Sequence, residues 1–322
     1  MNKNCLNAVV ITEKEINHVS LIKKSKKKED ILITGLSYFN FTPLNTKEQK
    51  ECIKEIAHYI KRNKLTRISL VNEDVLKYIF VIDKSENVNI KSEIFNRFKT
   101  TFDINLAEYY IDYEINVFND KLIVFVAGVS IDYLDNLLKH FVTYDFKLLS
   151  LEVDITSLKR IIGNYFQDTV VMNIHMRKDK TIFILLMNNI LFTFRELSFG
   201  YNNIMEYLTE HSELSNEELI ENLKNKNSFD ELPIADAMDK FTIELQRTID
   251  FYNNQFRNEP LQKIILTGLL NDIVGIDKFL SQLFITHVET FYPLKHFLIY
   301  VELSNIEEMT YITEALGVGL RQ

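Results

Sequence analysis

The chain of 322 residues contains no tryptophan, 4 prolines, 8 glycines and 2 cysteines. Glycine stands well under half of its usual share of about 7%. Eight scattered glycines leave little material for glycine-rich phosphate loops, and no Gly-Lys pair occurs, which excludes a Walker-type loop. Two cysteines, Cys5 and Cys52, exclude a disulfide scaffold and a cysteine zinc site; each reads as a small hydrophobe rather than a nucleophile. Neither G-x-S-x-G nor H-E-x-x-H is present, and the 7 histidines do not pair at ligand spacing. Long apolar runs are missing as well. The longest, 181–194, is broken by Asn188-Asn189 and reads as two strands about a turn, where a membrane-spanning helix needs about 20 residues. The apolar stretch 8–11 is too short for the core of a signal peptide. These absences place the expected site of action in the cytoplasm.

Apolar types make up 46% of the chain and charged types 25%, with a formal charge of −8. That is enough for one large or two medium domains with cores of their own. Lysine outnumbers arginine 28 to 9 and alanine occurs only 7 times, the pattern of AT-rich coding DNA. Such a bias accounts for the total of missing glycines but not for where they are missing. Five lysines crowd into 23–28, which reads as a solvated hairpin tip or as an attraction to anionic lipid or an acidic partner. Nucleic acid is disfavoured, because the balance is acidic and no aromatic residues interleave the basic run.

Hydrophobic periodicity predicts strands over 8–11, 16–22 and 31–39, then a helix over 46–63 with Cys52, Ile53, Ile56, Tyr59 and Ile60 at helical spacing. Strands return at 67–71 and 75–82. A compact unit follows: helix 90–102, strands 109–117 and 122–128, helix 131–144, strand 147–153 and a helix over 155–166. Leu134, Leu137, Leu138 and Phe141 share one face of the fourth of these elements. The second half repeats the opening theme with strands at 170–176, 181–187 and 190–197. A helical stretch then runs over 202–256 and ends in a long helix marked by Ile234, Met238, Phe241, Leu245, Ile249, Tyr252 and Phe256. A strand over 263–267 and helices over 276–283 and 306–320 close the chain. Glu244, Arg247 and Asp250 read as an exposed charged face of the long helix.

Several of these segments carry a likeness. Glu244-Leu245-Gln246-Arg247-Thr248-Ile249-Asp250-Phe251-Tyr252, followed by Lys263-Ile264-Ile265-Leu266-Thr267-Gly268, resembles the PilM family of type IV pilus assembly proteins. In that family a helix reading roughly E-I-x-R-S-L-D-Y-Y leads into a strand reading V-x-L-T-G-G. Phe194-Arg195-Glu196 with Gly200 is similar to the family's F-x-R-x-I-x-x-G. Glu314-Ala315-Leu316-Gly317-Val318-Gly319-Leu320-Arg321 is similar to its terminal A-x-G-L-A-L-R. The likeness runs in order across 170–322, and the order of elements agrees back to the N-terminus.

The resemblance implies an α/β, actin-like fold of the FtsA/PilM type, with two lobes about a nucleotide cleft and a small α/β insertion in the first lobe. The first lobe is then expected over 1–86, 154–167 and 304–322, the insertion over 87–153, and the second lobe over 168–303 with a helical subdomain at about 200–258. Proteins of the family lie at the inner face of the cell membrane. They bind the short N-terminal tail of PilN, an inner-membrane protein, and couple it to other platform and motor proteins on the cytoplasmic side. The tail is expected along the first lobe near its insertion. A component of a related type II secretion system, a polymerising FtsA-like protein and an active ATPase of the actin-like superfamily are the alternatives.

Actin-like proteins hold Mg-ATP with two D-x-G turns and a G-G step at the adenosine. Glycine lets backbone N–H groups approach phosphate, and aspartate orients magnesium and its waters. By the resemblance, the first turn falls on Val10-Ile11-Thr12, which has neither carboxylate nor glycine. The second falls on Asn173-Ile174-His175, and the adenosine step becomes Gly268-Leu269-Leu270. His175 also reads as an ordinary strand histidine, and Leu269 and Leu270 as core. A non-catalytic scaffold without ATP or magnesium is therefore expected.

Overall fold

The computed structural model describes residues 5–12, 14–23, 31–40, 46–59, 64–72, 74–84, 89–167, 169–225, 229, 232–256, 259–299 and 312–321. The apolar runs near the N-terminus pair as an antiparallel meander of β1 (Cys5–Thr12), β2 (Glu15–Lys23) and β3 (Ile31–Asn40). The helix α1 (Thr46–Tyr59) returns the chain so that β4 (Leu65–Val71) lies parallel to β1. A crossover of this kind is what parallel pairing requires. The lysine run over 24–28, read as a hairpin tip, lies outside the described residues.

A small antiparallel sheet comes next, made of β5 (Val75–Asp83), β6 (Tyr109–Phe118) and β7 (Lys121–Ser130) in the order β5-β7-β6. Between β5 and β6 runs α2 (Ile90–Phe102), whose Ile94 and Phe98 are buried against the sheet with Phe80, Val124 and Val126. Asn89 caps it, its side chain accepting the Ser92 N–H at 3.2 Å. Then α3 (Ile131–Thr143), β8 (Lys147–Val153) and α4 (Asp154–Tyr165) follow, with β8 parallel to β4. The boundaries of the insertion differ from the expected 87–153. β5 pairs with β7 along its whole length, from Val75↔Val129 to Asp83↔Lys121, so it belongs to the small sheet. Conversely β8 joins the larger sheet, and Leu134, Leu137 and Phe141 of α3 share a core with Ile53 and Ile56 of α1 and Ile68 of β4. The inserted sheet and its helix thus occupy 75–130.

The second half is built on β9 (Val170–Met176), β10 (Thr181–Met187) and β11 (Ile190–Leu197), again an antiparallel meander. Asn188 and Asn189 both take positive φ, 51° and 62°, as a two-residue hairpin turn of the primed type demands. Every residue of β9 and β10 is buried, the mark of strands covered on both faces. Four helices follow: α5 (Tyr201–Glu210), α6 (Asn216–Asn225), α7 (Ile234–Ala237) and α8 (Asp239–Gln255). The helix expected to run unbroken from Ile234 divides into α7 and α8 at Met238, whose φ −92° and ψ −1° lie at the edge of the right-handed helical region. Met238 and Phe241 stay buried across the break, so the apolar stripe survives it. β12 (Lys263–Gly268), α9 (Ile276–Phe284) and β13 (His287–Thr290) complete a five-stranded sheet of order β11-β10-β9-β12-β13.

Near the C-terminus, β14 (Leu298–Ile299) pairs with β3, and α10 (Thr313–Gly319) is the described part of the helix expected over 306–320. The larger sheet of the first half therefore reads β14-β3-β2-β1-β4-β8. Two units are distinguished by their internal contacts: Met1–Ile161 with Phe297–Glu302 and Glu314–Gln322, and Ile162–His296 with Leu303–Thr313. Each unit contains the same device, a three-strand meander with two parallel strands added beside its first strand. Among the described residues no helix is long and apolar enough to cross a membrane.

Candidate functional site

In the first unit, Val10 is fully buried within β1, opposite Asn17 on one side and Ser69 on the other. Thr12 ends the strand, and its Oγ1 accepts the backbone N–H groups of Lys14 at 3.1 Å and Glu15 at 2.8 Å. Those two turn donors are satisfied by the chain's own hydroxyl.

In the second unit, Asn173 and His175 lie within β9, with β12 running parallel beside them. The Asn173 amide donates to the carbonyl of Ile265 and to Thr267 Oγ1, both at 2.9 Å. His175 Nδ1 lies 3.0 Å from the same Thr267 Oγ1. Gly268 ends β12 at φ +71°, and a β-carbon there would stand 2.2 Å from the Met176 carbonyl oxygen. Leu269 and Leu270 follow in a buried 3-10 turn. The fold therefore brings Asn173, His175, Gly268, Leu269 and Leu270 to one place, while Val10 and Thr12 belong to the other unit. Thr267 is the hub of the cluster; in the sequence it is only the middle letter of an L-T-G motif. None of the seven positions supplies a carboxylate, the ligand a hard divalent cation prefers. An amide held by two acceptors and an imidazole beside Gly268 do not fit Mg-ATP.

A second feature lies wholly within the first unit. A cavity of about 410 Å³ is lined by Tyr110, Ile111, Asp112, Tyr113 and Glu114 of β6 and by Leu151, Glu152 and Val153 of β8. Phe125 and Val129 of β7 and Leu70 and Val75 add apolar surface, and Thr156, Arg160 and Arg321 add polar groups. Among the described residues β6 and β8 each end their sheet, and Ala127 and Gly128 of the central strand β7 also line the groove.

Charge around the groove is organised on Glu152, which is buried. Arg160 donates two parallel hydrogen bonds to its carboxylate, at 2.7 and 2.8 Å, and a third at 2.7 Å to the Gly317 carbonyl. Arg321 Nη1 lies 3.3 Å from Glu152 Oε2. Arg67 donates to the carbonyls of Gly319 and Arg321. Burial lowers the Arg67 pKa, Arg160 and Arg321 push the same way, and Glu152 opposes them. The carbonyls at the end of α10 are thus met by two guanidinium groups, those of Arg67 and Arg160, as the negative end of a helix favours. Gly317 permits the approach, because a β-carbon there would meet the Ser157 carbonyl oxygen at 2.1 Å.

Two ion pairs fasten the inserted sheet to α4. Lys77 of β5 reaches Asp154 at 3.1 Å with both side chains nearly out of solvent, and Lys159 of α4 reaches Glu114 of β6. Burial works to raise the Glu114 carboxyl, yet hydrogen bonds from Lys159 and Asn116 and the charges of Lys159 and Arg160 hold it below the usual carboxylate value. Among the described residues no group of His, Cys, Asp and Glu side chains could hold a metal ion. Sequence pattern flagged none of these groove residues except Arg321, the last letter of the terminal motif.

The meander with two parallel strands, present in each unit and interrupted in the first by a small sheet, defines an actin-like fold. The solved PilM–PilN type IV pilus biogenesis complex shares it: 98% of this chain matches 98% of that one with a TM-score of 0.73 at 16% identity. A protein with actin-like ATPase fold and unknown function from Bacteroides thetaiotaomicron matches 97% of the chain over 96% of its own, with a TM-score of 0.50 and 12% identity. MreB5 of Spiroplasma citri bound to ADP matches 99% of the chain over 96% of its own, with a TM-score of 0.51 and 9% identity. At these identities the likeness establishes the fold, which is the expected actin-like, PilM-type α/β architecture. No protein-family profile matches the chain, and no curated protein matches it.

Proposed function

We propose that the chain is a non-catalytic scaffold of a type IV pilus inner-membrane platform. In this reading it binds the cytoplasmic N-terminal tail of a PilN-like membrane protein and links it to other platform and motor proteins. It acts in the cytoplasm at the inner face of the membrane, held there through its partners. The groove along β6 and β8 carries the proposal, because it offers an extended peptide both apolar surface and strand edges in the unit expected to receive the tail. The full-length likeness to the PilM–PilN complex supports the choice of partner.

The absence of catalysis is part of the same reading. Thr12 takes up turn N–H groups, and Asn173, Thr267 and His175 are engaged with one another. A fluorescent ATP analogue titrated with and without magnesium is expected to show no saturable binding. Micromolar, magnesium-dependent binding would sink the pseudo-ATPase part of the proposal.

A further inference from the structure

The inserted sheet and helix over 75–130 join the rest of the first unit at one end. β5 and β7 are antiparallel neighbours, and Val75, where the insertion begins, stands opposite Val129, where it closes. The chain enters through a turn in which the Val75 N–H donates to the Asn72 carbonyl at 3.2 Å, and it leaves at Ser130 into α3. The insertion has a core of its own, built on Phe80, Ile94, Phe98, Val124 and Val126. Among the described residues, the core beneath α1 and α3 takes only Val75 and Val129 from it. Beyond this base, β6 faces β8 and α4 with the cavity between them.

The two ion pairs that tie the small sheet to α4 differ in kind. Lys77 stands opposite Ala127, two residues from the base at Val129, and Glu114 stands opposite Phe125, four residues from it. At strand spacing these are about 7 Å and about 13 Å along a lever. For any tilt about the base, the outer pair opens nearly twice as far as the inner one. The inner pair is also the drier: the side chains of Lys77 and Asp154 are 7% and 0% exposed, those of Lys159 and Glu114 12% and 41%. Parting a dry pair leaves charge uncompensated, whereas a pair open to water loses little when it parts. Asn116 also donates to Glu114 Oε1, at 2.8 Å, but it belongs to β6 and travels with it.

We propose that the insertion tilts about its base, with Lys77–Asp154 as a standing tie and Lys159–Glu114 as a releasable catch that holds the groove narrow. The device is a hinge, in which a few residues at the base absorb the turn and the small sheet moves as one body. With the catch closed, β6 is held to α4. With it released, β6 moves away while Lys77 stays seated on Asp154. The inference concerns the width of the groove and does not depend on what the groove holds.

The test is a distance measurement on the full chain carrying Cys5→Ala and Cys52→Ala. Spin labels are attached at Lys121→Cys, exposed at the far end of the small sheet, and at Lys147→Cys, exposed at the start of β8. Pulsed electron spin resonance reads the distribution of distances between them. Adding Lys159→Met is expected to shift the mean by several ångströms and broaden the distribution, with the midpoint of thermal unfolding little changed. The reversed pair, Lys159→Glu with Glu114→Lys, is expected to bring the parent distribution back. An unshifted distribution in Lys159→Met would overturn the catch. So would a shift that the reversed pair does not undo, because packing and not charge would then hold the sheet. A Lys159→Met chain that no longer folds would overturn it too, since the pair would then be a support of the fold. No peptide enters the experiment, so the tail reading of the groove stands or falls separately.

Discussion

His18 is buried in β2, its Nε2 3.1 Å from Ser20 Oγ and 3.3 Å from Asn7 Oδ1, while Nδ1 has no hydrogen-bond partner. Burial lowers its pKa from 6.5 to about 4, so the folded chain keeps the ring neutral where the unfolded chain would protonate it. Between those values the unfolded state binds more protons, and stability falls as pH falls. The expected loss is roughly 3 kcal/mol, complete near the folded-state pKa. Denaturant unfolding across that window should show this slope, and His18→Gln should flatten it; an unchanged slope would mean that other groups carry it. Ile285 poses the opposite problem. It is 94% exposed and sits at φ 51° just past α9, a conformation that costs a β-branched residue about 1–2 kcal/mol. Ile285→Asn is expected to raise stability by about 1 kcal/mol, read as a higher midpoint of thermal unfolding. A lower midpoint would show that the isoleucine has a packing role.

Among the elements, local pattern and tertiary pairing separate clearly. The helix over 90–102 and the strand over 147–153 were legible to the residue, because periodicity and caps are local signals. The sheet to which β5 belongs was not, since alternation shows that a strand exists and not which strand it joins. The likeness around residues 194–252 has a physical content that the letters hide. Arg195 of β11 pairs with Glu244 of α8 and lies 3.3 Å from Thr248, so two separate motifs hold each other. Glu244, read in the sequence as part of an exposed face, is instead a buried-side anchor for both Arg195 and Arg247. The groove was the least legible part, because Glu152 and Arg321 are 169 residues apart and meet only in the fold. Glu152→Ala strips the carboxylate from between Arg160 and Arg321, whose own side chains are partly exposed, and is expected to cost about 2 kcal/mol, the scale of lost hydrogen bonds to a charged group. Urea unfolding measures it; a change near zero would show that solvent already screens the arginines.

At the scale of the molecule, the two meanders with their added parallel strands turn a faint repeat in the sequence into a repeated architecture. The shortage of glycine takes on a location as well. Gly200, Gly268 and Gly317 stand where a β-carbon would come within 2.3 Å of a backbone oxygen, and glycine is kept there. Thr12, His175 and Leu269 fall, by the resemblance to the PilM family, at the positions where glycine would be expected for phosphate and adenosine. Codon bias lowers the total evenly; it does not sort positions in this way. The proposed scaffold role is the reading that fits this sorting. The most direct test is a calorimetric titration of the tail peptide into the full chain, without nucleotide and again with Mg-ATP. Saturable one-to-one binding with the same affinity in both is the predicted result. Binding that appears only with Mg-ATP, or none up to high micromolar peptide, would contradict it.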